Sequence, residues 1–179
     1  MEDFKMDNEA HSAPRPVTPA RENRNVTAIL LMIFIGLNFL LAHSFYTKLK
    51  VRGELAKLFW KIEDTREVSQ DLFESGYYMS LPERRLRQKE LGIELAQLRN
   101  IKDEIAELQA KYHLRRDARL YQIKNMYFIT NTLVRQYASL LGPREAPVMH
   151  LIKDNESDMM REYFDYRGAL ASALGIPRE

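Results

Sequence analysis

Residues 25–47, NVTAILLMIFIGLNFLLAHSFYT, form the longest stretch of the chain without Asp, Glu, Lys or Arg. A helix that crosses a bilayer needs about 20 predominantly apolar residues, rising about 1.5 Å each through about 30 Å of hydrocarbon. Val26 to Tyr46 meets that requirement. Ile29, Leu31, Ile33, Phe34, Leu37, Phe39 and Leu41 are the expected anchor residues. Gly36 and Asn38 interrupt the run, and the Asn38 amide can be shared with the helix backbone or a neighbouring helix. His43, Phe45 and Tyr46 fall where an interfacial aromatic belt lies, and Lys48, Lys50 and Arg52 follow at headgroup level. A cleaved signal peptide is the competing reading. Its apolar part spans about 7–15 residues and ends at a small-residue cleavage site, and neither feature fits here.

Orientation is argued from charge. Arg15, Arg21 and Arg24 precede the apolar run, whereas Lys48, Lys50, Arg52, Lys57 and Lys61 follow it. Counted alone, these cations favour a cytoplasmic C-terminal side. The segment before residue 25 also carries Glu2, Asp3, Lys5, Asp7, Glu9 and Glu22, and so mixed a tail is hard to pass across a membrane without its own signal. Long C-terminal domains translocate with little regard for charge. The expected topology is therefore N-inside and C-outside. In a bacterium this is a single-pass inner-membrane protein with a periplasmic domain. The absence of cysteine is compatible with that compartment and excludes disulfides, thiol catalysis and thiolate metal sites.

Everything after the anchor reads as helix. The chain is 29% charged with a formal net charge of +2, so interleaved acids and bases give solvated helix faces and no bias toward nucleic acid. The fold class expected is all-α: a single N-terminal transmembrane helix, an antiparallel coiled-coil hairpin and a small helical bundle. By residue this means a disordered tail over 1–24, a transmembrane helix over 25–47, a helical hairpin over 48–141, a linker over 142–154 and a C-terminal helix over 155–175. The tail contains SAPRPVTPARENR, whose three prolines leave no periodic apolar face. It is a spacer or a docking peptide.

The first helix is expected to run unbroken from Val26 to about Ser75, with Leu55, Leu58, Ile62, Ser69 and Leu72 on one seam and Gly76 as the residue past its end. Trp60 is placed in core or interface. In SLPERR, Ser80 can cap, Pro82 suits a first turn and Glu83 completes a capping box. The seam that follows is Leu91, Leu98, Ile101, Ile105, Leu108 and Tyr112, with Glu94 as its misfit. A new seam, Leu120, Ile123, Tyr127, Val134, Tyr137 and Leu141, is one residue out of phase. Two readings explain the slip: a turn near YHLRRDAR with Asp117 as the next cap, or one unbroken helix over 81–141 with a stutter. In the turn reading, Arg115 and Arg116 can reach lipid phosphates. Met126, Phe128, Ile129, Leu133 and Leu140 give this helix a second apolar face, so it needs two packing partners. Gly142, Pro143 and Pro147 end it. A last helix capped by Asp154 or Asn155 carries Met160, Tyr163, Phe164, Leu170 and Leu174 and closes at Gly175 and Pro177.

Site chemistry is sparse. His11, His43, His113 and His150 show no metal-binding spacing. His150 with Met149 and Met160 is the one weak candidate cluster for a soft or borderline metal; core methionines and a loop histidine explain the same residues. No nucleophile motif or phosphate-binding glycine loop occurs, so no catalytic residue, cofactor or enzyme activity is expected. RRLRQK, residues 84–89, is a solvated face or a polyanion site. Within EYFDYR, Tyr163, Tyr166 and Arg167 are interface-type residues, and core packing accounts equally for Tyr163.

The layout of anchor, LPERR at a helix start, long hairpin and later short helices resembles the membrane-anchored periplasmic heavy-metal sensor and resistance proteins over about half the chain. That resemblance implies a metal-responsive sensor or chaperone-like role, though the His-rich ligand set expected of such a sensor is not evident in the sequence. The leading expectation is a membrane-anchored scaffold or accessory subunit that works through protein partners in a membrane complex and through self-association.

Overall fold

The computed structural model describes residues 21–142 and 149–177, with side chains described over 26–142 and 156–177. Its described residues are all-helical, 91% in four helices without a strand. These are α1 (Arg21–Tyr77), α2 (Leu81–Tyr112), α3 (Ala118–Leu140) and α4 (Met149–Leu174). The chain divides into two compact units, Met1–Tyr46 and Thr47–Glu179.

The described part of the first unit is helix without a core. Every residue from Val26 to Tyr46 is exposed. Among the described residues one helix is long and apolar enough to cross a membrane, with mean hydropathy 2.2 over its most apolar window and none of that window buried. Ile29, Leu31, Ile33, Phe34, Leu37, Phe39 and Leu41 all present their side chains outward. The Asn38 amide donates to the Phe34 carbonyl at 2.8 Å, so its polarity is satisfied within the helix. Helix begins at Arg21, inside the stretch read as a tail; residues 1–20 lie outside the described residues.

In the second unit one apolar core draws on all four helices. The residues of α1 beyond Thr47 contribute Val51, Leu55, Leu58, Phe59 and Ile62. The expected α2 seam is buried at Leu91, Leu98, Ile101, Ile105 and Leu108, and Tyr112 packs half-buried against it. Each fully buried Leu or Ile stabilises the unit by about 1.5–3 kcal/mol. Helix α3 adds Leu120, Ile123, Met126, Leu133, Val134 and Tyr137, and α4 adds Tyr163, Leu170, Ala171 and Leu174.

The helix ends follow local chemistry. The Ser80 backbone N–H and hydroxyl both donate to Glu83, at 3.0 and 2.6 Å, which opens α2 where SLPERR predicts. Helix α2 ends on His113 in the left-handed region, φ 54°, and Asp117 opens α3 by accepting from the Arg119 N–H at 2.9 Å. The turn reading is therefore correct, and the unbroken helix over 81–141 is not. Chain direction reverses there without any Gly or Pro. Two further expectations need correction. Gly76 lies inside α1 rather than past its end; it is a contact residue, since a Cβ there would meet Arg87 Cβ at 3.0 Å. Helix α4 starts at Met149, ahead of residue 155, so Asp154 and Asn155 are interior to it. Its end is as expected: Gly175 takes φ 65°, Gly175 N–H donates to Ser172 and Ile176 N–H to Ala171, a Schellman pair.

Candidate interaction site

Among the described residues two carboxylates are buried in the helical unit, and they are treated differently. Glu63, on the α1 face turned toward α4, is 3% exposed. The Tyr163 hydroxyl donates to its Oε1, and Arg167 Nε donates to its Oε2 at 2.7 Å. Arg66 Nε stands 3.9 Å from Glu63 Oε1, an ion-pair distance, while its other nitrogens donate to Gln70 at 2.9 Å and Glu67 at 3.2 Å. The Arg66 guanidinium also lies 5.4 Å from the Tyr163 ring centre and 5.8 Å from that of Phe164. Burial pushes the Tyr163 hydroxyl well above the ordinary tyrosine range, and the neighbouring Glu63 charge adds to it. The cluster ties the last helix to the first. Along the same seam, Arg52 Nε donates to the Leu174 carbonyl at 2.7 Å. A cation at a helix C-terminus satisfies an end carbonyl and complements the helix dipole.

Glu94 is the other buried carboxylate, 8% exposed on α2. It lines a groove of about 300 Å³ between α1 and α2 with Lys61, Asp64, Thr65, Val68, Gln97, Asn100, Ile101 and Glu104. Burial raises its pKa above the ordinary carboxylate range. Its Oε1 accepts a long 3.4 Å contact from the Gln97 amide. Lys61 does not serve it, because that ammonium is held by both oxygens of Glu104 at 2.6 and 2.7 Å.

Helix α3 supplies an uncovered aromatic stripe. Phe128 is 66% and Tyr121 60% exposed, one helical heptad apart, with the exposed Arg135 a further heptad on. Phe128 thus departs from the expected second packing face, whose other members Met126, Ile129, Leu133 and Leu140 are buried. Tyr121 meets Tyr166 of α4 edge-on at 6.2 Å. Tyr, Phe and Arg are the residue types enriched where proteins meet.

The three interface candidates of the last helix separate. Tyr163 is fully buried in the chain's own core and Arg167 is engaged by Glu63, which leaves Tyr166 at the surface edge. Its hydroxyl is pushed up to about 12 by burial and by Tyr121 and Glu162. Of the weak metal candidates, Met160 is half-buried against the core. The side chains of Met149 and His150 lie outside the described residues. Among the described residues no group of three or more His, Cys, Asp or Glu is placed to hold a metal ion. RRLRQK is partly spent on packing: Arg84 donates to the Leu140 carbonyl at 2.8 Å and Gln88 to Ala138 at 2.9 Å, closing the end of α3. Sequence reasoning missed Glu63 and Arg66 as a site. The available signal was charge on the same seam as Phe59, Ile62 and Ser69, where a solvated face should not fall.

Compared with models of protein families, with curated proteins and with solved structures, the chain matches none.

Proposed function

We propose that this protein is a single-pass membrane-anchored helical scaffold or accessory subunit, acting through protein–protein contacts within a membrane complex and able to self-associate. In this reading Val26–Tyr46 is the anchor, residues 48–141 form an antiparallel coiled-coil hairpin, and the last helix completes a small bundle on it. The membrane is the bacterial inner membrane and the helical unit is periplasmic, following the charge of the N-terminal segment. The role is binding, not catalysis.

The observation that carries the reading is the stripe on α3. Phe128 and Tyr121 stay 66% and 60% exposed on a helix that otherwise buries its large apolar residues well. An aromatic pair with a basic flank is what an interface centre looks like before its partner arrives. The test is photo-crosslinking in intact cells from p-benzoylphenylalanine placed at Phe128, with the exposed Arg99 position on α2 as reference. Discrete adducts from position 128 and none from position 99 are expected. Equal or absent labelling from both would end the reading.

A further inference from the structure

One end of the helical unit gathers exposed cations, and antiparallel pairing brings them together. Lys61 of α1 meets Glu104 of α2 at 2.6 Å. Nearer Thr47, Glu54 and Leu58 share a groove with Lys111 and Tyr112. Carried one turn further in the same register, the connection from α2 to α3 falls level with Lys50. Helix α4 ends at this level too, since its Leu174 carbonyl accepts from Arg52 at 2.7 Å. Lys48 and Lys50 follow Tyr46, the last residue of the exposed apolar segment, on the same helix, after about 3 and 6 Å of rise.

The connection is a pinned turn. Leu114 N–H donates to the Gln109 carbonyl and Asp117 N–H to the Leu114 carbonyl, both at 3.1 Å, and the Leu114 side chain packs against the core. The two central residues of the turn are Arg115 and Arg116. Both are exposed, as are Lys48 and Lys50. Among the described residues none of these four cations has a carboxylate within ion-pair distance. The carboxylates nearest them in sequence carry cations of their own: Glu54 has Lys57 at 3.4 Å, and Asp117 has Arg119 at 2.6 Å. A guanidinium gives two parallel N–H donors to one phosphate, and cations beside a membrane span draw acidic lipids. An acidic protein offers the same charge. The lipid is favoured because chain connection alone holds Lys48 and Lys50 within about one 5.4 Å helical turn of the apolar segment.

We propose that the α2–α3 turn is a second, electrostatic foot of the protein on the membrane surface. Arg115 and Arg116 bind the phosphates of anionic phospholipids, and Lys48 and Lys50 add to their field. The proposal rests on the anchor reading above and goes beyond it, because it assigns a lipid class and the residues that select it. It uses neither Phe128 nor the rest of the α3 stripe.

The test uses the full chain in phosphatidylcholine nanodiscs, with a bimane on Ala118→Cys, an exposed position in the first turn of α3. The quencher is phosphatidylglycerol or phosphatidylcholine carrying a nitroxide high on one acyl chain, at equal mole fraction. Phosphatidylglycerol is expected to quench about fivefold more efficiently, the enrichment due to one well-placed cation. Arg115→Gln with Arg116→Gln should bring the two lipids to within about twofold of each other. Arg115→Lys with Arg116→Lys should keep most of the preference, since the charge remains. Arg99→Gln with Lys102→Gln removes the same charge from exposed positions of α2 and should leave the preference intact. Equal quenching by the two lipids, or a preference that survives the glutamine pair, would overturn the proposal. A bimane response to polyglutamate without any lipid preference would assign the turn to an acidic protein, and would overturn it too. Absence of quenching by either lipid would sink the anchor reading and this proposal with it. Equal quenching leaves the anchor standing, so the two failures are distinguishable, and the crosslinking from Phe128 is decided separately.

Discussion

Glu63 shows how much one side chain can depend on residues far along the chain. Its partners Tyr163 and Arg167 are 100 and 104 positions away. Removing one member of a buried charge cluster costs more than removing the set, because the survivors remain dehydrated. Glu63→Ala is thus expected to destabilise the unit by about 3–5 kcal/mol. Replacing the buried members together, Glu63→Leu with Arg66→Met and Tyr163→Phe, should recover most of that loss, since Arg167 has enough exposure to turn its head group to water. Chemical denaturation of both variants followed by circular dichroism decides it; equal losses would mean that packing around Glu63 matters and its charge does not. None of this was legible in the sequence. A charged residue on a seam can be read as a misfit, as Glu94 was. Its partners cannot be, because spacing of about 100 residues carries no periodic signal.

At the level of helices, local chemistry was readable wherever it is local. Ser80 with Glu83, Asp117 with Arg119, and Gly175 before Pro177 each act within three residues, and each marks the boundary it suggests. Gly76 was misread because its role is a contact with Arg87, invisible to a rule about helix ends. The slip of seam between α2 and α3 fitted both a turn and a stutter, and the turn is made by His113 at φ 54°, ψ 39°. A left-handed conformation costs a β-carbon-bearing residue about 1–2 kcal/mol, and glycine escapes most of it. His113→Gly is therefore expected to raise stability by about 0.5–1 kcal/mol. In a continuous helix the same change would lower it by a similar amount. The sign of the shift in a thermal melt separates the two.

For the molecule as a whole, an exposed apolar helix long enough to cross a membrane and a well-packed helical unit share one chain, and the anchor reading proposed above is tested by asking which side the second one occupies. The chain has no cysteine, so one introduced thiol reports without background. Ser157 is exposed on α4 and suits the purpose. Ser157→Cys is expected to react with a membrane-impermeant maleimide in spheroplasts before lysis. Labelling only after lysis would put the unit in the cytoplasm and redirect the search for partners there. The long-range ties also have a consequence in time. Arg52 and Glu63 find their mates on α4. At about 5–20 residues per second, a ribosome delivers those mates about 5–20 seconds after Glu63 itself. For that interval the nascent chain carries a glutamate set to be buried whose α4 partners do not yet exist, and a chaperone or a protease has first access to it.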